Sequence, residues 1–181
     1  MNEKGKTKLT TLLFAALGSA LMAVCSLVTI PLFIPITLQT LALYFLLFFL
    51  GGKYGSVSAT LYVCLGAVGL PVFSGFSGGV GHLFSATGGF IFGFVAAALV
   101  YWGCEVLFAK FTFRYVISSA LSLLSLYAVG VVWYVVGYLT VEGTLAAIVL
   151  TVLPTLLFDV LKILLAYILA YRLSKIINLK S

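Results

Sequence analysis

The chain has 181 residues, 64% of them hydrophobic and 8% charged, with a net charge of +6 and a mean hydropathy of +1.28. Soluble domains carry an apolar share of about 45–50%, so this composition excludes one and indicates a polytopic membrane protein with no room for a soluble catalytic domain. The basic residues recur at every second loop instead of gathering in one patch, which excludes a nucleic-acid partner.

A helix needs about 20 apolar residues to cross the hydrocarbon, and the chain accommodates six such spans. The first runs from about residue 9 to 30 and stops at Pro31. Its basic start and its apolar run through Val24 read as a retained first helix and not as a cleaved signal peptide, because the rest of the chain also spans the membrane. Ala16 and Ala20, or in the adjacent frame Ala15, Ser19 and Ala23, form small-residue ridges suited to close packing within the chain or against a partner helix. Pro31 and Pro35 keep the loop that follows out of helix. Span two, about 38–50, is short; Gly51-Gly-Lys-Tyr-Gly55 turns the chain, and span three continues over about 55–69.

The stretch from Leu70 to Gly89 is apolar yet too rich in glycine for a stable helix. Irregular backbone at membrane depth is tolerated only where protein buries it or it lines a cavity, so this loop is expected to fold into the outer mouth of the bundle. Span four, about 88–109, opens with Gly89, Gly93 and Ala97 at a spacing that permits close packing. Span five covers about 115–139. The apolar run after Glu142 and Gly143 is too long for one untilted helix, so Pro154 is expected to divide it, with Thr151 as cap and span six over about 154–172.

Lys4, Lys6 and Lys8, then Lys53, then Lys110 with Arg114, then Arg172, Lys175 and Lys180 mark alternate loops. By the positive-inside rule both termini are cytoplasmic and the protein is a multi-pass component of the cell membrane, in contact with lipid. The expected fold is an all-α integral membrane protein, a single domain over residues 1–181. It is a compact bundle of six transmembrane helices, with the glycine-rich loop on the extracellular side between helices 3 and 4.

Asp159 and Lys162 are the most informative residues. A charge at the centre of a membrane helix costs roughly 2.5–3.5 kcal/mol, so such residues face one another or a cavity. Their spacing puts both on one face, continued by Thr155, Ala166 and Ala170. A carboxylate offers acceptors and an ammonium donors, which together suit a ligand with N–H and C=O or carboxylate groups. The plain alternative is an ion pair that only fixes helix packing. Gly78, Gly79 and Gly81 lack the ending of a phosphate-binding Walker motif, so any energy-coupled task must borrow an ATPase or use an ion gradient. His82 has no second metal ligand nearby in sequence and reads as a site-lining or solvated histidine. Cys25, Cys64 and Cys104 read as buried small hydrophobes.

Taken together, Pro35-Ile-Thr-Leu-Gln-Thr40, Gly69-Leu-Pro-Val-Phe73 with the Ser/Gly run to Gly79, Ala86-Thr-Gly-Gly-Phe-Ile-Phe-Gly-Phe94 and Asp159-Val-Leu-Lys162 resemble the BioY family over nearly the whole chain. Members of that family are the biotin-specific substrate-binding S components of energy-coupling factor (ECF) transporters. The resemblance implies no enzyme activity and no cofactor. It implies biotin as the transported ligand, a transmembrane coupling subunit with two ATPase subunits as partners, and docking through the small residues Ala16, Ala20, Ala15, Ser19 and Ala23 of span one. Asp159 would accept the ureido N–H groups and Lys162 would donate to the ureido oxygen. Thr87, Gly88 and Gly89 would offer hydroxyl and backbone N–H groups to the tail carboxylate at a helix terminus. Thr37 and Gln39 would shape the lid, and Phe73, Phe76, Phe84 and Phe90 would cover the sulfur ring. Other readings are an S component for another vitamin, a solitary proton-coupled secondary transporter with Asp159 as the titrating group, and a membrane enzyme, for which the chain offers no complete catalytic set.

Overall fold

The computed structural model describes residues 3–30, 35–138 and 144–177. Within these residues seven helices carry the fold: α1 (Glu3–Leu27), α2 (Gln39–Leu50), α3 (Gly52–Ala67), the single turn α4 (Val80–Leu83), α5 (Gly88–Leu107), α6 (Arg114–Tyr138) and α7 (Thr144–Ile177). Among the described residues the other regular elements are a 3-10 turn at Ser74–Phe76, an isolated antiparallel bridge between Phe73 and Ser77, and an antiparallel pair, β1 (Thr29–Ile30) with β2 (Ile36–Thr37). The expectation of an all-α chain missed that hairpin. With Pro35 excluded from helix, the flanking backbone satisfies itself by pairing Thr29 with Thr37 and Ile30 with Ile36. The intervening residues 31–34, with Pro31, and residues 139–143, with Glu142, lie outside the described part.

Among the described residues three helices are long and apolar enough to cross a membrane, over Gly88–Leu107, Arg114–Gly137 and Val152–Ile176; Leu12–Leu27 and Gln39–Leu50 form shorter apolar helices. Helix α1 starts at Glu3, ahead of the apolar boundary at residue 9, because Lys and Glu are good helix formers once a helix is nucleated. The larger correction concerns Pro154, which lies inside α7 and does not divide it. Proline removes one donor from the ladder, but in a long membrane helix neighbouring groups and local adjustments compensate for the freed carbonyl.

Helix α5 runs along α6, α2 along α7, and α3 against both α1 and α5. Small residues set these distances. A Cβ built on Gly89 would stand 2.2 Å from Trp133 Cβ, and one on Gly93 2.9 Å from the Leu126 carbonyl oxygen. Ala97 completes that ridge, fully buried, its carbonyl accepting from Ser122 Oγ at 2.8 Å. On α1 a Cβ on Gly18 would lie 2.6 Å from Ser58 Oγ. Ala15 and Ser19 are buried on that same face, Ala23 is half-buried, and Ala16 and Ala20 face outward. Glu105 of α5 accepts the Gly52 N–H at 2.7 Å and so satisfies a donor at the start of α3. Cys64 is exposed on α3, and Cys25 and Cys104 are half-buried, so none of the three is the fully buried hydrophobe expected.

Candidate ligand-binding site

The charged pair of α7 sits where its spacing puts it. Thr155, Asp159, Lys162, Ala166 and Ala170 all lie on the buried face, while Leu157, Val160 and Leu164 are exposed. Lys162 Nζ donates to Asp159 Oδ1 at 2.7 Å, and Tyr127 of α6 donates its hydroxyl to Oδ2 at 2.8 Å. Asp159 is 3% exposed and Lys162 9%, so both charges are desolvated and compensate each other. A carboxylate has about four lone-pair directions and an ammonium three N–H donors, so the pair retains bonding capacity toward a third party.

That third party has a place. A cavity enclosing about 50 Å³ lies against Thr155, Asp159, Lys162 and Tyr127. Its apolar walls are Phe90, Ile91 and Phe94 of α5, with Leu126 of α6. Phe73, Ser74 and His82 of the glycine-rich segment close another side, and Pro35, Thr37, Gln39 and Thr40 a third.

The cover is held by a continuous hydrogen-bond chain. Thr37 Oγ1 donates to Gln39 Oε1 at 2.8 Å, and Gln39 Nε2 donates to the Tyr62 hydroxyl. Tyr62 in turn donates to the Val72 carbonyl at 3.0 Å, and Ser26 Oγ of α1 donates to the same oxygen at 2.5 Å. Phe73, 1% exposed, fills the space where a Cβ on Gly66 would lie 2.0 Å from its ring. The His82 ring stacks on Phe73 with centroids 5.6 Å apart, and its Nε2 is 3.1 Å from Ser77 Oγ. Burial pushes the His82 pKa below its ordinary 6.5, which favours the neutral ring.

Of the residues singled out in the sequence, Asp159, Lys162, Thr87, Thr37, Gln39, Phe73 and Phe90 line this one cavity. Four lie elsewhere. Gly88 and Gly89 are buried in packing contacts: a Cβ on Gly88 would meet the Leu83 carbonyl oxygen at 1.8 Å, and the Gly88 N–H already donates to Ser85 O at 3.0 Å. Phe84 is 59% exposed and packs on Trp133 at 6.0 Å, outside the cavity. Trp133 donates to the Ser85 carbonyl at 3.1 Å and holds this segment to α6. Phe76 is 70% exposed, at φ 56°, a left-handed backbone uncommon outside glycine. Sequence reasoning missed Tyr127 and Tyr62, because a tyrosine in an apolar span reads as an interface or core residue.

Comparison with known proteins matches the model of the BioY family to residues 1–179. The biotin transporter BioY of Thermotoga maritima is 36% identical over 166 residues, which cover 91% of this chain and 96% of that protein. The biotin transporter BioY2 of Lactococcus lactis subsp. cremoris is 38% identical over 70% of each chain. In three dimensions the fold is similar to the crystal structure of the S-component for biotin from an ECF-type ABC transporter, with a TM-score of 0.79 at 24% identity, covering 97% of this chain and 95% of that one.

Proposed function

The chain belongs to the BioY family, and from that membership we propose that it is a membrane-embedded biotin-binding S component of an ECF transporter. The observation that carries the reading is the desolvated Asp159–Lys162 pair opening onto a cavity walled by aromatic rings. Biotin presents a ureido group with two N–H donors and one carbonyl, an apolar sulfur ring, and a tail ending in carboxylate. The free lone pairs of Asp159 accept the ureido N–H groups, and Lys162 donates one of its remaining N–H groups to the ureido oxygen. Phe73 and Phe90 take the sulfur ring. The tail leaves toward Thr87, Ser74 and His82, since the Gly88 N–H is already engaged. A site of this kind rejects analogues without the ureido group, because its own buried polar atoms would be stranded.

Drug-sized ligands occupy pockets of about 300–1,000 Å³. The cavity of about 50 Å³ therefore opens on binding, by outward movement of the cover between Gly69 at φ 108° and Gly79 at φ 88°. Helices α1, α2, α3, α5, α6 and α7 are the six spans. Lys53, Lys110 and Arg114, and Lys175 stand at the cytoplasmic ends and the cavity lies toward the outer side. The outward ridge of Ala16 and Ala20 docks onto a transmembrane coupling subunit carrying two ATPases, while Ala15 and Ser19 serve the α1–α3 contact.

Calorimetric titration of detergent-solubilised, ligand-free protein with biotin tests the reading, with Asp159→Asn alongside. Saturable binding that is greatly weakened in the variant supports it. Absence of heat on folded protein overturns the biotin assignment. Biotin amides check the tail: unchanged affinity excludes a strong carboxylate contact. Enlarging Ala16 and Ala20 to Trp is expected to abolish assembly with the coupling subunit and leave biotin binding intact.

A further inference from the structure

Helices α6 and α7 follow one another in the chain, yet among the described residues they barely touch, α6 lying on α5 and α7 on α2. They meet at two levels. One is the Tyr127–Asp159 hydrogen bond; the other is the contact of the Tyr115 and Tyr167 rings, with centroids 6.3 Å apart. Between these levels lies an apolar groove of about 530 Å³, with Val116 and Leu164 at its open edges and Phe48 of α2 among its lining. Phe48 stands edge-on to both tyrosines, at 6.4 Å from Tyr115 and 5.5 Å from Tyr167.

Just beyond one end of the groove stand two basic residues, Arg114 next to Tyr115 and Lys175 about two helical turns past Tyr167. Arg114 Nη2 donates to the Tyr115 hydroxyl at 2.6 Å, with the guanidinium 4.6 Å from that ring. Across the groove Tyr167 stacks on Tyr171, and the Lys175 ammonium lies 4.7 Å from the Tyr171 ring. Among the described residues neither cation has a carboxylate partner. At 1.5 Å per residue the groove runs about 12 Å along α6, from Tyr115 to Leu123. One leaflet of a bilayer offers about 15 Å of hydrocarbon, half the thickness that a spanning partner helix must cross. The groove is therefore long enough for most of one leaflet's length of an acyl chain, and the two cations beyond its end, without a carboxylate partner among the described residues, suit a phosphate.

We propose that the α6–α7 groove binds one anionic phospholipid of the cytoplasmic leaflet, its acyl chain against Phe48 and its headgroup phosphate on Arg114 and Lys175. Guanidinium and ammonium groups at a membrane surface attract anionic headgroups, and arginine adds bidentate geometry.

Native mass spectrometry of the purified full chain, given phosphatidylglycerol or phosphatidylcholine with matched acyl chains, tests this. The expected result is retention of phosphatidylglycerol with roughly tenfold preference. Arg114→Gln with Lys175→Gln should reduce that to the phosphatidylcholine level, and Ala120→Trp, which fills the groove, should remove both lipids. Biotin binding in each variant reports the fold. Equal retention of the two lipids, preference undiminished in the double variant, or retention unchanged by Ala120→Trp in biotin-binding protein overturns the proposal. A disulfide from Leu164→Cys to a coupling-subunit helix seated in the groove also overturns it.

Discussion

Tyr127 donates to Asp159 Oδ2 at 2.8 Å and thereby ties α6 to α7 at the level of the cavity. The bond also fixes the carboxylate at the wall of the cavity that both residues line. Tyr127→Phe removes one charge-assisted hydrogen bond, worth about 1.5–3 kcal/mol, while keeping the ring that packs on Phe90 at 6.2 Å. Biotin affinity is expected to fall roughly tenfold or more by calorimetry. An unchanged affinity would remove Tyr127 from the positioning of Asp159.

The Asp159–Lys162 pair makes a prediction that needs no ligand. Removing one member of a buried pair costs roughly 3–5 kcal/mol, whereas replacing both with apolar residues is often neutral. Asp159→Leu and Lys162→Met should each lower the thermal midpoint in detergent, and the double variant should be more stable than either single one. Singles as stable as the parent would mean that the charges keep access to water.

Gly66 and Gly103 should respond oppositely to the same added methyl. At Gly66 it would collide with the Phe73 ring at 2.0 Å; at Gly103 nothing lies within 4 Å. Gly66→Ala should therefore displace Phe73 and weaken biotin binding at least tenfold, while Gly103→Ala, in mid-helix, gains up to about 1 kcal/mol. Calorimetry and thermal unfolding of the two variants provide the comparison, and biotin binding untouched in Gly66→Ala would contradict the packing described.

His82 predicts a pH dependence with a definite sign. Its folded pKa lies below the ordinary 6.5, so the unfolded chain takes up the proton first. The associated stability is complete above about pH 6.5 and is lost as the pH falls through the depressed folded value. The ring stacks on Phe73 and bonds Ser77, and it shares the cavity with Asp159 and Lys162. The thermal midpoint should drop between pH 7 and pH 5, and the drop should shrink in His82→Gln. An identical profile in that variant would assign the titration to another group.

What was legible in the sequence is what helical periodicity dictates. Thr155, Asp159, Lys162, Ala166 and Ala170 were grouped on one face by spacing alone, and all five are buried. The Gly89, Gly93 and Ala97 ridge was readable for the same reason, since four-residue spacing on a helix is a surface whatever it faces. Hydropathy reads apolar length, not helix length, and so misplaced the start of α1, while the expectation that Pro154 divides the run misplaced that of α7. Within the irregular segment neither signal operates. Phe73, Phe76 and Phe84 are alike as sequence, yet one is buried on Gly66, one is exposed, and one lies on Trp133. Tyr127 is a partner of Asp159 only because two consecutive helices converge there, across 32 residues of chain that no helical periodicity relates.

The Val72 carbonyl accepts at once from Ser26 on α1 and from Tyr62 on α3. Ser26 stands on the same rigid rod as Ala16 and Ala20, near the end closest to the pocket. That rod is a lever: any tilt imposed along its outward ridge displaces Ser26 and pulls on the backbone beside Phe73. Either the bond to Val72 breaks, or the lid follows the helix.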